Sequence, residues 1–563
     1  MRLSLNHKAL PAAAILLLSL VITAVPYWLI IPWEPALSYD TGNYYYTAQD
    51  IVRKKDLQWD EFLLAPFYRE PSSERVQAHE SKPFFVIALR LWGWLVRLFK
   101  PQAAMPAATE YLLFMASCCW LVFIMVWRLG KSVGQELYGV VAGVITLISP
   151  WHLVLLYYPA YTQLSIAMLL GAIILLAART PHATLLAGVL ATAALLTNNA
   201  TVVYLIGISL LVIYISAPDW RRGFLLAGIF IVTVSGIFTL LKLLSFAPLV
   251  QNLFRTPQID SPIETLTRYY YRSVFENHFS KLDIPKYVGV MLLFLTYNSK
   301  VMTTLFVATP FIFVWQLAKQ GVSALIHQTR LRQIALVALP AVVGMLAIDL
   351  RPGVQLGRTY FIGYPLLVLA ALILFSEALK NIRYRQAVIA IFAVAYVAEN
   401  IYALYDQRQA FHEAGIFITA ISKTGQRIAI FEQDKHLIPI VTNAEMECQC
   451  VSSNQFLILK SSADKSQLQN LDQVYLVTGP ETETIYPAEN MQTIPIPQLL
   501  NSLQQAGVQT ELKQILPYWT LYPLLVFEDE TQMWRLITRE FGPNDYREGS
   551  GAVKVWLLKT QMK

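Results

Sequence analysis

A long acidic segment between the first two strongly apolar runs is a candidate location for chemistry. Residues 33–83 carry nine acidic side chains, and Asp40 lies near the start of this segment, before Tyr44. A loop of this length inside a compact unit is usually functional, so chemistry could occur in this segment. Asp40 could instead cap a helix in which Tyr44, Ala48 and Ile51 recur on one face. The local pattern leaves both interpretations open.

The same segment ends in groups that could contact a phosphorylated lipid. His79 and Glu80 precede Lys82, which is followed by a proline and then by an apolar stretch. An ammonium at a membrane surface can bind a lipid phosphate. It can also extend to the interface without any partner. His79, Glu80 and Lys82 are therefore candidates for substrate contacts, with a purely interfacial lysine as the alternative.

Two pairs of arginines stand in later polar connectors. Arg351 and Arg358 bracket a short connector that continues into Tyr360, and Arg268 and Arg272 enclose three tyrosines. A guanidinium binds phosphate oxygens bidentately, so these arginines could hold a phosphate or a pyrophosphate. The alternative is that they are ordinary surface arginines near lipid headgroups.

The elements that must position these residues are mostly apolar. Of the 563 residues, 55% are hydrophobic and 14% are charged, and the mean hydropathy is +0.45. Soluble globular domains carry roughly 25% charged residues. The deficit excludes a disordered chain, a fibrous protein and an ordinary cytosolic enzyme, and it lies almost wholly before Tyr405. The sequence therefore predicts a polytopic α-helical membrane protein.

Eleven apolar runs are candidates for membrane spans, because a helix needs about 20 mostly apolar residues to cross the hydrocarbon core. They cover residues 10–32, 108–127, 137–156, 161–178, 183–197, 201–216, 223–246, 300–318, 333–349, 360–377 and 386–405. The polar triplet Thr197-Asn198-Asn199 divides two of these runs. Residues 84–99 are predicted to form an amphipathic helix at the membrane interface.

The basic residues of the connectors predict the orientation of the spans. One set of them falls in alternate connectors and so on one side of the membrane, at Arg2, Lys8, Arg128, Lys131, Arg179, Arg221, Arg222, Lys319, Arg330, Arg332, Lys380, Arg383 and Arg385. Such a bias marks the cytoplasmic side, so the N-terminus is expected in the cytoplasm. Connectors 33–83, 247–299 and 350–359 and the chain after Tyr405 are expected outside. We expect a multi-pass protein of a bacterial inner (plasma) membrane.

Net charge and cysteine content indicate few other partners. The formal net charge of +7 follows from the connector bias and favours anionic lipid over nucleic acid. Cys118 and Cys119 lie within a predicted span. Cys448 and Cys450 form one Cys-x-Cys pair, which is weak evidence for a metal and leaves a strained disulfide or free thiols open. No cofactor is indicated, and a divalent metal would be compatible with the sequence but has no supporting motif.

The last part of the chain has the composition of a soluble domain. Short β-like runs occur at residues 427–431, 456–460, 473–477, 508–516, 522–527, 534–538 and 553–558, with a helical stretch at 497–506. This pattern predicts an α/β fold with a mixed sheet, and no glycine-rich nucleotide motif accompanies it. We therefore expect a transmembrane domain over residues 1–408 and an extracytoplasmic α/β domain over 409–563. The second domain is either purely structural or binds an acceptor or a partner.

Several of these segments together resemble the GT-C superfamily of integral-membrane glycosyltransferases, in particular protein O-mannosyltransferases and aminoarabinose transferases. The similar motifs are Asp40 with Tyr44 and Ala48, Lys82-Pro83, Ser149-Pro150, Tyr157-Tyr158-Pro159, Leu196-Thr197-Asn198, and Arg358-Thr359-Tyr360 with Pro365. The resemblance covers residues 10–405, and it rests on the order and spacing of the motifs.

The resemblance implies that a hexosyl or pentosyl group moves, with inversion, from a polyprenyl-phosphate-linked donor to an acceptor lipid, glycan or protein on the extracytoplasmic face. It implies that Asp40 acts as the general base or orients the acceptor. Lys82 and Arg358 would hold the donor phosphate and stabilise the leaving group. Arg351 is a further candidate for the phosphate, because of its guanidinium and its place in the same connector. The candidates for further substrate contacts are Tyr44, His79, Glu80, Tyr360, Arg268 and Arg272.

The sequence departs from the superfamily in three places, and these departures leave the substrate class open. Thr41 stands where many relatives carry a second acid, Phe84 stands where they carry a second proline, and the connector between Tyr157 and Gln163 lacks their charges. Two other function classes remain, a polytopic lipid or sugar transporter and a non-catalytic membrane scaffold whose outer domain binds a partner. A transporter would often place ionisable residues deep within its spans, whereas most of them lie at the outer margin here.

Overall fold

The computed structural model describes two compact units of the chain. The described residues are 12–30, 82–99, 108–149, 152, 161–216, 219–244, 299–321, 329–349, 360–379, 384, 386–401, 427–431, 456–459, 465–469, 472–479, 495–516 and 552–560. One unit comprises Met1–Tyr27 with Asn43–Ile401, and the other comprises Trp28–Gly42 with Tyr402–Lys563.

Up to Ile401, the described secondary structure is helical. The α-helices are α1 (Ala12–Ile30), α2 (Pro83–Phe99), α3 (Ala108–Ser132), α4 (Glu136–Ile148), α5 (Tyr161–Leu176), α6 (Pro181–Thr197), α7 (Val202–Ile215), α8 (Trp220–Leu244), α9 (Lys300–Gln320), α10 (Thr329–Asp349), α11 (Tyr364–Ala378) and α12 (Gln386–Ile401). A short 3₁₀ helix at Asn199–Thr201 joins α6 to α7. The break predicted at residues 197–199 is therefore confirmed, and the amphipathic stretch at 84–99 is a helix as expected.

Local sequence explains where these helices begin and end. The Thr180 side chain accepts a hydrogen bond from the Ala183 N–H at 3.2 Å, with Pro181 in the first turn of α6. The Ser299 hydroxyl likewise accepts a hydrogen bond from the Met302 N–H at 3.0 Å at the start of α9. Both are N-caps of the kind that serine and threonine favour.

Two predicted runs have different bounds in the structure. The run predicted over residues 137–156 is too long for the helix, because α4 ends at Ile148 and Ser149 is extended with ψ 145°. Pro150 disfavours the helical conformation at the residue before it. The run predicted from residue 360 becomes regular α-helix only at Tyr364, after a turn in which the Gly363 N–H donates to the Tyr360 carbonyl at 3.0 Å.

The surface of the first unit is largely apolar, as the surface of a membrane protein is. Large apolar side chains are exposed on several helices, including Val232 (70%), Phe311 (73%) and Trp315 (72%). Extensive exposed apolar surface indicates a lipid environment or a partner. Within the described ranges, three helical segments are both long and apolar enough to cross a membrane, and nine apolar helical segments are shorter. The architecture is polytopic and helical, and the predicted number of eleven spans stays a prediction.

Contacts between helix ends form two groups in this unit. In the first group the Arg222 guanidinium donates to the Arg179 carbonyl at 2.7 Å, and Lys131 pairs with Glu136 at 3.6 Å. We call this the basic end of the unit. The second group joins the opposite helix ends, through the ring contacts of Lys82 with Tyr161, His152 with Phe361 and Tyr364 with Phe361. We call this the polar end, and the side of the membrane that each end faces stays a prediction.

Small residues allow the helices to approach closely. A Cβ added at Gly130 of α3 would lie 2.5 Å from the Cα of Gly139 in α4. A Cβ at Gly344 of α10 would lie 2.2 Å from the ring of Tyr204 in α7. Both crossings exclude any side chain larger than hydrogen, as is common where helices pack in membranes.

The described part of the chain after Ile401 forms a five-stranded mixed sheet. Its strands are β1 (Arg427–Phe431), β2 (Phe456–Leu459), β3 (Gln473–Thr478), β4 (Val508–Leu516) and β5 (Val553–Thr560), and its helices are α13 (Lys465–Gln469) and α14 (Ile496–Gln505). The order is β2-β1-β3-β5-β4, with β1 parallel to β2 and β3, and β5 antiparallel to β3 and β4. The strands predicted at 522–527 and 534–538 lie outside the described residues.

The core of this sheet follows its sequence pattern. Leu499, Leu500 and Leu503 form one face of α14 and pack with Val474 and Leu476 of β3. Leucines at this spacing lie on one side of a helix, and alternate residues of a strand lie on one face of a sheet. The apolar positions of both elements are therefore buried together.

Candidate functional site

The structure describes two of the candidate site residues, Lys82 and Tyr360. The others lie outside the described residues, namely Asp40, Tyr44, His79, Glu80, Arg268, Arg272, Arg351 and Arg358. Their predicted roles and their convergence on one cavity stay predictions. The site is therefore built from the helix ends that adjoin these residues in the chain.

Lys82 stands immediately before α2 and is held against α5. Its ammonium lies over the ring of Tyr161, with Nζ 4.3 Å from the ring centroid. Tyr161 is buried and meets Phe85 edge-on at 5.8 Å, and Phe85 in turn contacts Phe114 of α3 at 6.0 Å. An ammonium within about 6 Å of an aromatic face is attracted by the quadrupole of the ring. The aromatic cluster therefore fixes the charge at the polar end.

Tyr360 lies in the interior where α7, α10 and α11 meet. Its side chain is 2% exposed. Its carbonyl accepts hydrogen bonds from the Tyr204 hydroxyl at 3.4 Å and from the Gly363 N–H at 3.0 Å. These bonds fix the backbone of the segment that follows Arg358. Whether the Tyr360 side chain contacts a substrate stays a prediction.

The interior of the polar end is rich in uncharged polar side chains. We call this set the polar layer; it consists of Thr146, Ser149, His152, Thr162, Gln163, Ser165, Thr197, Asn198 and Thr201, none of them more than 6% exposed. Several hydroxyls bond to the backbone of their own helix, such as Thr197 to the Ala193 carbonyl at 2.7 Å. Such local bonds remove the cost of burying a hydroxyl. They concentrate polar atoms at the polar end without any net charge.

Three atoms of the polar layer are buried without a hydrogen-bond partner in the described structure: Thr146 Oγ1, His152 Nδ1 and Thr162 Oγ1. A buried polar atom left unpaired costs about 1–3 kcal/mol. Native proteins leave few such atoms, and each of them requires an explanation such as a ligand, an ion or a bound water. Three of them lie in one layer, so this layer is where a bound water or a polar ligand could supply the missing hydrogen bonds.

Sequence reasoning missed His152, Thr146 and Thr162. Apolar composition predicts continuous spans over residues 137–156 and 161–178, and these two spans contain all three side chains. The signal was present in Ser149-Pro150, which ends a helix and leaves His152 beyond it. His152 stands two residues after Pro150, and a polar ring there is not needed for insertion into lipid, so the histidine could have been singled out for that reason.

A second polar contact ties α9 to α12 at the polar end. The Ser299 hydroxyl donates to Glu399 Oε2 at 2.7 Å, and the Lys300 N–H donates to Glu399 Oε1 at 2.7 Å. A carboxylate at a helix N-terminus satisfies free backbone donors and opposes the helix dipole. Glu399 therefore has a structural role: it caps the N-terminus of α9. Within the described ranges, no group of three or more His, Cys, Asp or Glu residues could hold a metal ion, and Cys448 and Cys450 lie outside those ranges.

Solved structures of three kinds of membrane transferase are similar to this chain. ArnT from Cupriavidus metallidurans bound to undecaprenyl phosphate shares 10% identity over 84% of this chain and 93% of its own, with a TM-score of 0.49. The apo oligosaccharyltransferase of Archaeoglobus fulgidus shares 11% identity over 98% and 89%, with a TM-score of 0.49. The mycobacterial arabinofuranosyltransferase AftD shares 14% identity over 98% and 42%, with a TM-score of 0.44.

The structural neighbours are all glycosyltransferases of the GT-C superfamily. This is also the superfamily that the sequence motifs resemble. Their identities do not exceed 14% and their TM-scores lie below 0.5, so the similarity assigns no substrate and no role to a residue. No family model matches the chain, and no curated protein matches it.

Proposed function

We propose that this protein is a membrane glycosyltransferase that uses a polyprenyl-phosphate-linked sugar as its donor. The observation that carries the proposal is the polar layer, which lies at the same helix ends as Lys82 and Tyr360. A helical bundle with only a structural role in lipid satisfies its polar groups internally. A ligand that combines sugar hydroxyls with a phosphate would supply partners for both the uncharged polar layer and the lysine.

The reaction we propose is a single displacement with inversion. An acceptor hydroxyl, or another acceptor heteroatom bearing a proton, attacks the anomeric carbon of a hexosyl or pentosyl donor and forms the new glycosidic bond. The bond between that carbon and the phosphate oxygen breaks, and its electron pair leaves with the polyprenyl phosphate. Asp40 takes the proton of the acceptor or orients it, whereas Lys82, Arg351 and Arg358 stabilise the negative charge on the leaving phosphate.

The location follows from the same proposal. The exposed apolar faces of the helices contact membrane lipid, the basic end faces the cytoplasm according to the positive-inside rule, and the polar end faces outside. We propose a bacterial inner membrane, eleven spans and an extracytoplasmic α/β domain at the C-terminus. Because nucleotide sugars are absent on that side, a lipid-linked donor is the chemically consistent choice. The acceptor, a lipid, glycan or protein, would approach from outside the membrane.

The test uses the full chain in lipid nanodiscs with a panel of undecaprenyl phosphates carrying mannose, glucose, galactose or arabinose. We expect wild-type protein to release undecaprenyl phosphate from at least one of them when membrane-derived acceptors are added. Asp40→Asn should lower the rate by roughly 10²–10⁴-fold, the usual contribution of a general base. Asp50→Asn, which removes another carboxylate of the same acidic segment, is the matched control and should keep most of the rate.

Wild-type rates from Asp40→Asn would contradict the assigned role of Asp40. Absence of release by the wild type, together with movement of an intact lipid-linked sugar between the leaflets of proteoliposomes, would favour the transporter. If neither activity nor binding of undecaprenyl phosphate were observed, the scaffold interpretation would stand.

A further inference from the structure

His152 is a buried histidine at the polar end that the proposed reaction does not use. Its side chain is 2% exposed, and its ring lies 6.0 Å from the ring of Phe361, centroid to centroid. Phe361 follows Tyr360 directly and stands three residues after Arg358 in the chain. His152 therefore contacts, through the ring of Phe361, the start of the segment that directly follows Arg358.

The end of α4 is shaped so that His152 stays beside the helix after the helix has ended. The Ser149 hydroxyl donates to the Thr146 carbonyl at 2.8 Å, and the same oxygen accepts a hydrogen bond from the His152 N–H at 3.1 Å. The serine side chain thus replaces the backbone bonds that Pro150 interrupts. This bridge links the backbone of His152 to that of Thr146, and both side chains remain in the interior.

The two side chains share an unusual property. Within the described residues, neither Thr146 Oγ1 nor His152 Nδ1 has a hydrogen-bond partner, although both are fully enclosed. By contrast, the hydroxyl of Thr192 in α6, which is also buried, donates to the Gly188 carbonyl at 2.8 Å. Burial of a threonine in this unit therefore does not by itself leave the hydroxyl unpaired.

The chemistry of the pair selects one class of ligand. A threonine hydroxyl can both donate and accept a hydrogen bond, and an imidazole Nδ1 does one or the other according to its tautomer. Sugar hydroxyls offer the same mixture of donors and acceptors. A phosphate offers acceptors only and is best matched by cationic donors. An uncharged set of groups at the polar end is therefore suited to the sugar and not to the phosphate.

We propose that His152 Nδ1 and the Thr146 hydroxyl bind hydroxyl groups of the transferred sugar, an inference that rests on the proposed glycosyltransferase function. The two residues then recognise the sugar of the donor, whereas Lys82 and the arginines recognise its phosphate. Ser149 is a positioning residue, because it acts by holding His152 in place. This division makes a prediction for a ligand that lacks the sugar. Its binding should still depend on Lys82 and the arginines but should no longer depend on His152 and Thr146.

The experiment measures affinity of the full chain in nanodiscs for two probes that differ only in the sugar. The first probe is the undecaprenyl phosphate monosaccharide that wild-type protein discharges best, and the second is undecaprenyl phosphate itself. His152→Leu and Thr146→Val should each weaken binding of the first probe about ten-fold, the effect of one lost hydrogen bond. Binding of the second probe should change by less than about two-fold, whereas Lys82→Met should weaken both.

Three further variants or measurements separate recognition from folding. His152→Asn places an amide atom near the position of Nδ1 and should restore part of the affinity. Thr192→Val is the matched control and should leave both affinities unchanged. Thr146→Val should unfold at the wild-type temperature or above it, because it removes a buried hydroxyl that has no partner. Weaker binding by a variant that is at least as stable cannot result from misfolding.

Equal weakening of both probes by His152→Leu and Thr146→Val would overturn the inference, and so would unchanged binding of the sugar-bearing probe. These results differ from failure of the proposed function. If the proposed function were wrong, the wild-type protein itself would release undecaprenyl phosphate from none of the monosaccharide probes.

Discussion

Tyr161 should control the affinity of the protein for a lipid phosphate although it carries no charge. Lys82 Nζ lies 4.3 Å from the centroid of the Tyr161 ring, and the lysine is partly buried. Contacts of this kind contribute about 0.5–1 kcal/mol at exposed sites and about 2 kcal/mol when they are desolvated. Because 1.4 kcal/mol corresponds to a factor of ten, losing the ring should weaken binding by about 2-fold to 30-fold.

The physical reason is preorganisation of the ammonium. A lysine that is already held over a ring loses less side-chain entropy when it binds a phosphate. Tyr161→Phe keeps the aromatic face and should bind undecaprenyl phosphate with nearly wild-type affinity. Tyr161→Leu removes the face and should show the full loss. The assay is equilibrium binding of undecaprenyl phosphate to the full chain in nanodiscs at two salt concentrations.

The basic end provides a matched control. Lys131 Nζ lies 5.8 Å from the centroid of the Trp127 ring, so the same type of contact exists far from the polar end. Trp127→Leu should leave binding of undecaprenyl phosphate unchanged. The reasoning is refuted if Tyr161→Leu binds as tightly as wild type, or if Tyr161→Phe and Tyr161→Leu lose equal affinity. The latter result would assign the effect to the phenol hydroxyl.

Two further predictions concern stability, and thermal unfolding in detergent or nanodiscs measures both. Glu399→Ala removes the acceptor of the Ser299 hydroxyl and of the Lys300 N–H and should lower the free energy of unfolding by about 1–3 kcal/mol. Glu511→Ala is the control: it removes the exposed partner of Lys513 and should lower the free energy of unfolding by less than about 1 kcal/mol. Equal losses of stability in the two variants would contradict the capping role of Glu399. Gly130→Ala should destabilise the α3–α4 crossing, because its Cβ would lie 2.5 Å from the Gly139 Cα. Gly236→Ala in α8 is the control: its added Cβ would have no atom within 4 Å, so this variant should be neutral or more stable by up to about 1 kcal/mol. A higher unfolding temperature for Gly130→Ala would disprove the close approach of α3 and α4.

Hydropathy and turn chemistry were sufficient to predict most of the described helices. The break after Thr197 could be read from three polar residues within a long apolar stretch, and α6 and α7 flank it as expected. The strand over residues 427–431 has the predicted bounds because a short apolar run between polar residues defines it. Where the reading failed, at the end of α4, a local proline effect overrode the apolar composition of the run.

The packing of the helices could not be predicted in the same way. The crossing of Gly130 with Gly139 and the contact of Tyr204 with Gly344 join residues whose relation appears only in the folded chain. Tyr204 reaches the Tyr360 carbonyl across 156 positions of sequence. Local pattern carries no information on such pairs, because many helix arrangements bury the same apolar residues equally well.

The polar layer shows why the site was harder to predict than the fold. Charged side chains stand out against an apolar background, so the sequence offers Asp40, Lys82 and the arginines as candidates. Uncharged threonines hardly change the hydropathy of a span, and most buried threonines satisfy themselves on their own helix. What distinguishes Thr146 from Thr192 is the absence of a partner for its hydroxyl within the described structure, which only coordinates can reveal. In the proposed function, the charged residues bind the phosphate of the donor, and the unpaired neutral groups bind its sugar. The residues that decide sugar specificity are then the ones to which hydropathy and motif searches are least sensitive.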